Sequence, residues 1–438
     1  MFRTARPAAA LTLSLALLGC AAGQALGQGV DLSAAEADRA VQAVRSTPGF
    51  TAAVAHLDRD HDRIVAETIT LTEIPAPPFQ EAARARAYMA MLEAAGLSDV
   101  EMDAEGNVMG LRRGTGPAGG PVVVIAAHLD TVFPEGTDVT VRREGTKLHA
   151  PGIGDDTRSL AVLLGYVRAL DAAKLTTTRD ILFVGNVGEE GPGDLRGVRH
   201  LFTQGRYKDR IAAFFSMDGT LAPRITSGAV GSRRYRVTFK GPGGHSYGAY
   251  GLVNPMAAMG TTVVEMNRIT TPLRPRTTYA TSVVGGGTSV NSIPDAIWLE
   301  VDMRSESPQE LARLDKQFLA IVDAAVQQEN ATRSTAAGPV SAEVKLIGDR
   351  PTGATRENAP IVRITAAAVR AAGYSPILGS GSTDSNMPIS LGIPAVTIGS
   401  GGTGGRAHAL DEWIDVAKPE SLKGMTVGLA ALLAMAER

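Results

Sequence analysis

Pro121-Val-Val-Val-Ile-Ala-Ala-His128-Leu-Asp130-Thr-Val132 is the stretch whose reading decides the fold. Residues 122–127 are all apolar, rich in β-branched side chains and free of alternation. That pattern describes a strand buried on both faces of a parallel sheet, not one with a wet side. The run stops at His128-Leu-Asp130, where open α/β sheets place ligands beyond the carboxyl ends of their strands. Residues at i and i+2 leave a strand on the same side. His128 can therefore face a metal, with Asp130 behind it as the orienting carboxylate that a metal-bound histidine commonly has. Taken alone, the pair equally describes a surface histidine beside a turn aspartate.

Composition bounds what surrounds this strand. A chain of 438 residues, 44% hydrophobic, can build two or three domains. A net charge of −2 provides no basic stripe for nucleic acid, so a nucleic-acid partner is not expected. Aromatic residues make up 5% of the chain against 49 glycines, which suits a loop-rich α/β enzyme better than an interaction surface. Cys20 is the single cysteine, so an intrachain disulfide and a thiolate metal site are both excluded. Any metal has to be held by His, Asp and Glu. Residues 1–28 read as an export signal: Arg3 and Arg6, an apolar run over 8–18, then small residues. The run is too short for an ordinary transmembrane helix. Leu17-Leu18-Gly19-Cys20 resembles a bacterial lipobox, which would make Cys20 a lipid anchor. The alternative is ordinary cleavage after Ala25 or Gly27. The protein is expected to be exported, as a periplasmic or membrane-anchored lipoprotein or in secreted form.

Outward from the central strand, helices are expected at 31–45 and 58–73, broken by Ile74-Pro-Ala-Pro-Pro78, and again at 80–95, ended by Gly96. The loop 114–119 matches a dinucleotide fingerprint by its letters. It precedes its strand, however, and holds Pro117 where a helix should open, so NAD is excluded. Gly152-Ile-Gly-Asp155-Asp156-Thr157 leads into a helix at 158–173. By themselves these acids would serve as ordinary helix caps. Strand 181–187 runs into Glu189-Glu190, and strand 212–217 ends at Asp218. Three buried strands thus bring His128, Glu189/Glu190 and Asp218 to one sheet edge, with Asp155 on the loop between. Unpaired, such acids repel. A divalent cation resolves the conflict.

At 233–240 the pattern changes to alternation, with Tyr235, Val237 and Phe239 between Arg and Lys. Helix 254–268, strands 279–284 and 296–303, helix 308–328 and strand 340–347 follow. This βαββαβ order is that of a ferredoxin-like unit, and Gly-rich joints mark it as inserted. The core resumes with a helix near 363, strands at 376–378 and 395–398, and a helix at 419–436. The expected fold is α/β: a mostly parallel sheet with helices on both faces, carrying an inserted α+β lid. Domain bounds are 31–228 and 349–438 for the catalytic part and 229–348 for the lid.

His128-Leu-Asp130, Asp155-Asp156, Glu189-Glu190, Asp218, Gly244-His245 and His408 occur in the order seen in dinuclear zinc exopeptidases. The resemblance is to the family of peptidase T, carnosinase-like dipeptidases, carboxypeptidase G, aminoacylase and succinyl-diaminopimelate desuccinylase. It covers essentially all of the mature chain. It implies two divalent ions, zinc with cobalt or manganese as alternatives. Asp155 would bridge them, His128 and Asp218 completing one site and Glu190 and His408 the other. Glu189 would be the general base toward a metal-bridging hydroxide, and Asp130 would orient His128. His245 would stabilise the oxyanion, often from a partner subunit, so a homodimer through the lid is implied. Asn291 and Arg304 match positions that contact substrate, with Arg304 suited to a carboxylate, although a surface salt bridge would account for it equally. The loop 379–386, with Ser382, Thr383 and Asp384 at its tip, resembles a segment lining the substrate pocket. Thr157 stands where the family has Lys, which puts a local bond in question but no ligand. Asp at 218 points toward an aminopeptidase or dipeptidase acting on small peptides. N-acyl amino acid amidohydrolase and carboxypeptidase remain as alternatives.

Two other classes compete. Gly244-His-Ser246-Tyr-Gly248 satisfies a nucleophile-elbow pattern, with Asp384 and His408 following in the order of a serine hydrolase triad. Yet the preceding strand is amphipathic and the next helix is delayed, and the acids at 155, 189, 190 and 218 are left without a role. A non-catalytic binding lipoprotein would be expected to lack a ligand or the base, and none is missing.

Overall fold

The structure, a computed structural model, describes residues 31–438. The expected signal segment, and Cys20 with it, lies outside the described residues. Val122–His128 forms a strand in which every residue is buried. Val123, Ile125 and Ala127 join an apolar layer with helices Pro48–Thr72, Arg158–Ala172, Pro360–Ala371 and Lys418–Ala436. Val122, Val124 and Ala126 join the opposite layer, with Arg196–Thr203 and Asn386–Ser390. Burying a Val or Ile side chain contributes about 1.5–3 kcal/mol, so no arrangement that wets one face of this strand competes.

Val122–His128 runs parallel to Asp180–Asn186 on one side and Ile211–Met217 on the other, and Ala395–Ile398 extends the parallel run. Val108–Arg112 and Ser98–Met102 close one edge antiparallel. Arg224–Ala229 lies antiparallel to Ala395–Ile398 and continues the other edge, with Ile377–Gly381 and Gly353–Ala354 beside it. The expected mixed α/β architecture with a mainly parallel centre is what the chain adopts. Residues 231–350 build their own sheet in the order Thr277–Gly286, Ala296–Ser305, Gly231–Lys240, Ser341–Arg350. Helices Pro255–Met266 and Pro308–Thr332 cover one face, over a separate core of Tyr235, Val237, Phe239, Leu299 and Phe318.

Besides the unforeseen strand Ser98–Met102 and helix Arg196–Thr203, three features depart from the sequence reading. The second helix starts at Pro48, not 58, because Thr47 caps it by accepting from Phe50 N–H, with Pro48 at the first helical position. Arg224–Ala229 is a strand where none was expected. A small sheet of Thr403–Gly405, Trp413–Asp415, Lys147–His149 and Arg142–Glu144 was not foreseen either. Its strands are three residues long, too short to show a period. This sheet matters for the site: pairing Trp413 with His149 brings the loop holding His408 against the loop holding Asp155.

Candidate metal centre

His128 is the last residue of the buried strand, and its surroundings fix its ring. Its backbone N–H donates to Asp156 Oδ2 at 3.1 Å, and Nδ1 lies 3.1 Å from the Asp130 carbonyl. The Asp130 carboxylate is farther from Nδ1, at 3.6 Å. It accepts instead from the N–H groups of Glu189 (3.1 Å) and Glu190 (2.8 Å). Asp130 thus reaches His128 mainly through its carbonyl, while its side chain ties the His128 strand end to the Glu189-Glu190 turn. Arg84, fully buried, donates to Leu129 O at 2.7 Å and Ile74 O at 3.0 Å, which sets the backbone between His128 and Asp130.

The Asp155 loop is held from the other end of the chain. Glu412 accepts N–H donors from Gly152 (2.9 Å), Gly154 (2.7 Å) and Asp155 (3.0 Å). Thr157, in the position of the family's Lys, is buried and donates from Oγ1 to Gly152 O at 3.0 Å, with Thr72 Oγ1 at 2.6 Å. So held, Asp155 presents one oxygen to each of two histidines. Oδ1 lies 2.8 Å from His128 Nε2, and Oδ2 lies 3.1 Å from His408 Nε2. His408 Nε2 is also 3.0 Å from Glu190 Oε1.

Two ligand sets therefore share Asp155: His128, Asp155 and Asp218, and Asp155, Glu190 and His408, the candidate atoms of each within 4.8 Å of one another. A third grouping joins His128 to Glu189 and Glu190. The electrostatics of this cluster are strained. Burial pushes Asp218 up to about 7, helped by the Asp155 charge, and burial raises Glu189 and Asp156 well above the carboxylate range. Hydrogen bonds that His408 donates to Asp155 and Glu190 push it up to about 10. Burial pulls His128 down, but bonds to Asp130 and Asp155 outweigh it and leave it well above its ordinary value. Burial would raise Asp155 too, yet the two histidines hold it low. Acids driven to keep protons beside imidazoles driven to take them mark a site built around positive charge. Buried Asp156 Oδ1 and Asp384 Oδ1 have no hydrogen-bond partner among the described residues. The donor set, imidazole nitrogen plus carboxylate oxygen, fits a pair of zinc-like divalent ions.

Beside the cluster lies a cavity of about 520 Å³. Its far wall comes from the 231–350 unit: Arg234, Asp302 and Arg304, with Arg350 at that unit's end. Asp302 accepts from Arg234 Nε (3.0 Å) and Arg304 Nε (2.7 Å). Arg350, buried and unremarked in the sequence, donates from Nη1 to Glu189 Oε1 at 3.1 Å and to Ser382 Oγ at 3.1 Å, and from Nη2 to the Glu189 carbonyl. No local pattern announces Arg350, Glu412 or Arg84, since each acts on backbone or side chains far along the chain.

His245 and Asn291 do not join this cavity. They sit together on a separate ladder, His245 paired with Ser292 and Ser246 N–H donating to Asn291 O, and both are exposed. The serine hydrolase triad is not assembled. Ser246 lies on that exposed ladder, Asp384 accepts from Asn186 Nδ2 at 2.8 Å, and His408 is engaged by Asp155 and Glu190.

Solved structures share this architecture. The aminopeptidase PepT of Bacillus cereus superimposes with a TM-score of 0.68 at 19% identity, over 86% of this chain and 99% of that one. The dipeptidase Dug1p of Saccharomyces cerevisiae gives 0.70 at 16% identity, over 89% and 99%. The YXEP protein of Bacillus subtilis, described as a dinuclear metal-binding peptidase, gives 0.62 at 19% identity, over 86% and 98%. The sequence profile of peptidase family M20/M25/M40 matches residues 124–437, which takes in the metal cluster and the inserted unit together. The chain belongs to that family and is a hydrolase acting on peptide or amide bonds.

Proposed function

We propose that the protein is a two-metal exopeptidase that hydrolyses short peptides, of the aminopeptidase or dipeptidase type represented by peptidase T. The observation that carries this reading is Asp155, whose two oxygens face different histidines across one carboxylate. His128 and Asp218 would hold one ion, Glu190 and His408 the other. Bound there, divalent ions (zinc, with cobalt or manganese as alternatives) would supply Lewis acidity toward water and the scissile carbonyl. Glu189 is the general base: it takes the proton of the attacking water and passes it to the leaving amine. Its raised proton affinity, caused chiefly by burial, suits a group that must hold that proton between the two steps. Arg350 fixes one carboxylate oxygen and the main chain of Glu189, leaving the other oxygen for the transfer.

Arg304 lines the cavity and is the residue proposed to meet a substrate carboxylate. That feature also favours the second reading, an N-acyl amino acid amidohydrolase or carboxypeptidase. Asn291 and His245, exposed and outside the cavity, would serve substrate and oxyanion only from a second copy of the chain. A homodimer through the 231–350 unit is proposed on that ground. Export is proposed from residues 1–28, with Cys20 as a lipid anchor; the mass of the mature amino terminus from cells would decide it.

The deciding experiment removes metal with a chelator, restores zinc, cobalt or manganese, and screens di- and tripeptides against N-acyl amino acids. Activity should vanish and return with metal, and a serine-directed phosphonate should not inhibit. Glu189→Gln should keep its metal and lose activity by about 10²–10⁴-fold. Turnover that survives chelation, or full activity in Glu189→Gln, would overturn the reading.

A further inference from the structure

Off the catalytic cavity opens a recess of about 270 Å³. It shares Asp218 and Ser382 with the main cavity, so a substrate held over Asp218 directs a neighbouring group into it. Its wall is made by the unexpected strand Arg224–Ala229, the end of Ala395–Ile398 and the loop 379–386. Arg224 is the one cationic side chain in that lining among the described residues.

The partners of Arg224 set it apart from the other arginines at the site. Arg234 and Arg304 share Asp302, and Arg350 is bound to Glu189. Arg224 has no carboxylate partner among the described residues. Its nearest acceptors are neutral, Thr226 Oγ1 and Ser380 O, each at 3.3 Å. Apart from Asp218, the rest of the polar side-chain lining is hydroxyl. Thr397 Oγ1, nearly buried, lies 2.7 Å from Thr383 Oγ1 and 2.8 Å from Ser385 Oγ, and Thr226 is buried as well. Hydroxyl hydrogens rotate to suit an acceptor, and a guanidinium donates only. Asp218 is the only acid lining the recess, and it stands where the recess meets the metal cluster. A cation without a counter-ion, facing hydroxyls that can turn to donate, is complementary to a carboxylate.

We propose that this recess is a substrate subsite for a carboxylate, anchored by Arg224, and that Arg224 sets a preference for acidic substrates. The proposal rests on the peptidase reading above and specifies the substrate class. The carboxylate has two sources, the side chain of an Asp or Glu residue or the free terminus of the peptide.

Calorimetric binding of L-glutamate, L-glutamine and isoglutamine to the metal-loaded full chain separates them. Arg224→Gln should weaken glutamate roughly tenfold or more, the loss of one charge-assisted hydrogen bond, with Arg224→Lys recovering part of it. A parallel loss for isoglutamine assigns the recess to a side-chain carboxylate; a parallel loss for glutamine assigns it to the terminal one. In turnover, a side-chain carboxylate in the recess lowers the ratio of kcat/KM for Ala-Glu over Ala-Gln by a similar factor in Arg224→Gln, whereas a terminal carboxylate there lowers both values and leaves the ratio unchanged. Affinities all within about twofold of wild type in Arg224→Gln, or no binding of any of the three to wild type, would overturn the subsite. If wild type hydrolyses neither dipeptide while the binding differences stand, it is the peptidase reading that fails and not the subsite.

Discussion

Arg350 grips Glu189 by carboxylate and carbonyl at once, so its removal should be felt at the base before it is felt anywhere else. Arg350→Met is expected to lower kcat by about 10–100-fold, the worth of a charge-assisted hydrogen bond, with KM and metal content little changed. A rise in KM alone would place Arg350 in substrate binding instead. His61 offers a test far from the chemistry. It is buried on the helix Pro48–Thr72, neither ring nitrogen has a hydrogen-bond partner among the described residues, and burial followed by the Arg158 charge lowers its proton affinity below the ordinary 6.5. The unfolded chain therefore binds a proton at His61 that the folded chain refuses. The stability this contributes is full above pH 6.5 and is lost as pH falls from there through the folded value. His61→Gln should flatten that acid limb in chemical denaturation, and an unchanged limb would exclude His61 as its source. Of the residues that the sequence did announce, His128, Glu190 and Asp218 meet at one place because buried strands dictate where their ends lie, while Asp155 and His408 arrive there on loops. Glu412 and Arg350 could not be read that way. They act across 260 and 161 positions, and Glu412 acts on main-chain N–H groups, which leave no signature in side-chain patterns.

Among elements, the loop 152–157 is the most exposed to failure, because Asp155 depends on a carboxylate from the far end of the chain. Glu412→Ala would leave three N–H groups without their acceptor in a buried setting. At about 1–3 kcal/mol for each unsatisfied group, stability should fall by roughly 3 kcal/mol or more, and metal affinity should fall with it. Glu412→Gln keeps one acceptor and should lie between. Equal stability of Glu412→Ala and wild type would show that the loop is held by other means. The alternating run 233–240 and the continuous run 122–127 were legible because their periods report directly which faces are buried. Three-residue strands such as Trp413–Asp415 were not, since their existence depends on partners in register and hardly on their own residues. Yet that small sheet is what brings His408 to Asp155.

For the whole molecule, the division into a catalytic sheet and an inserted ferredoxin-like unit follows from two hydrophobic patterns that cannot share one core. The unit's strands bury one face only, and its outward face delivers Arg234, Asp302 and Arg304 to the cavity. What one chain does not show is a complete set of proposed residues around that cavity, because His245 and Asn291 are exposed elsewhere. Near them Tyr247, Tyr250 and Val290 stand out from the surface, as residues awaiting a second copy would. In the proposed homodimer, mixing His245→Ala and Glu189→Gln chains, each expected to be inactive alone, should restore about a quarter of wild-type activity, since half the dimers would be mixed and each would have one complete site. No recovery after subunit exchange would confine each site to its own chain. Whether Asp155 lies between two cations is read out by anomalous scattering at the zinc edge from crystals of the zinc-loaded protein. Two peaks per chain are expected, roughly 3.5–4 Å apart, one beside His128 and Asp218 and the other beside Glu190 and His408. A single peak away from Asp155, or none, would contradict that placement.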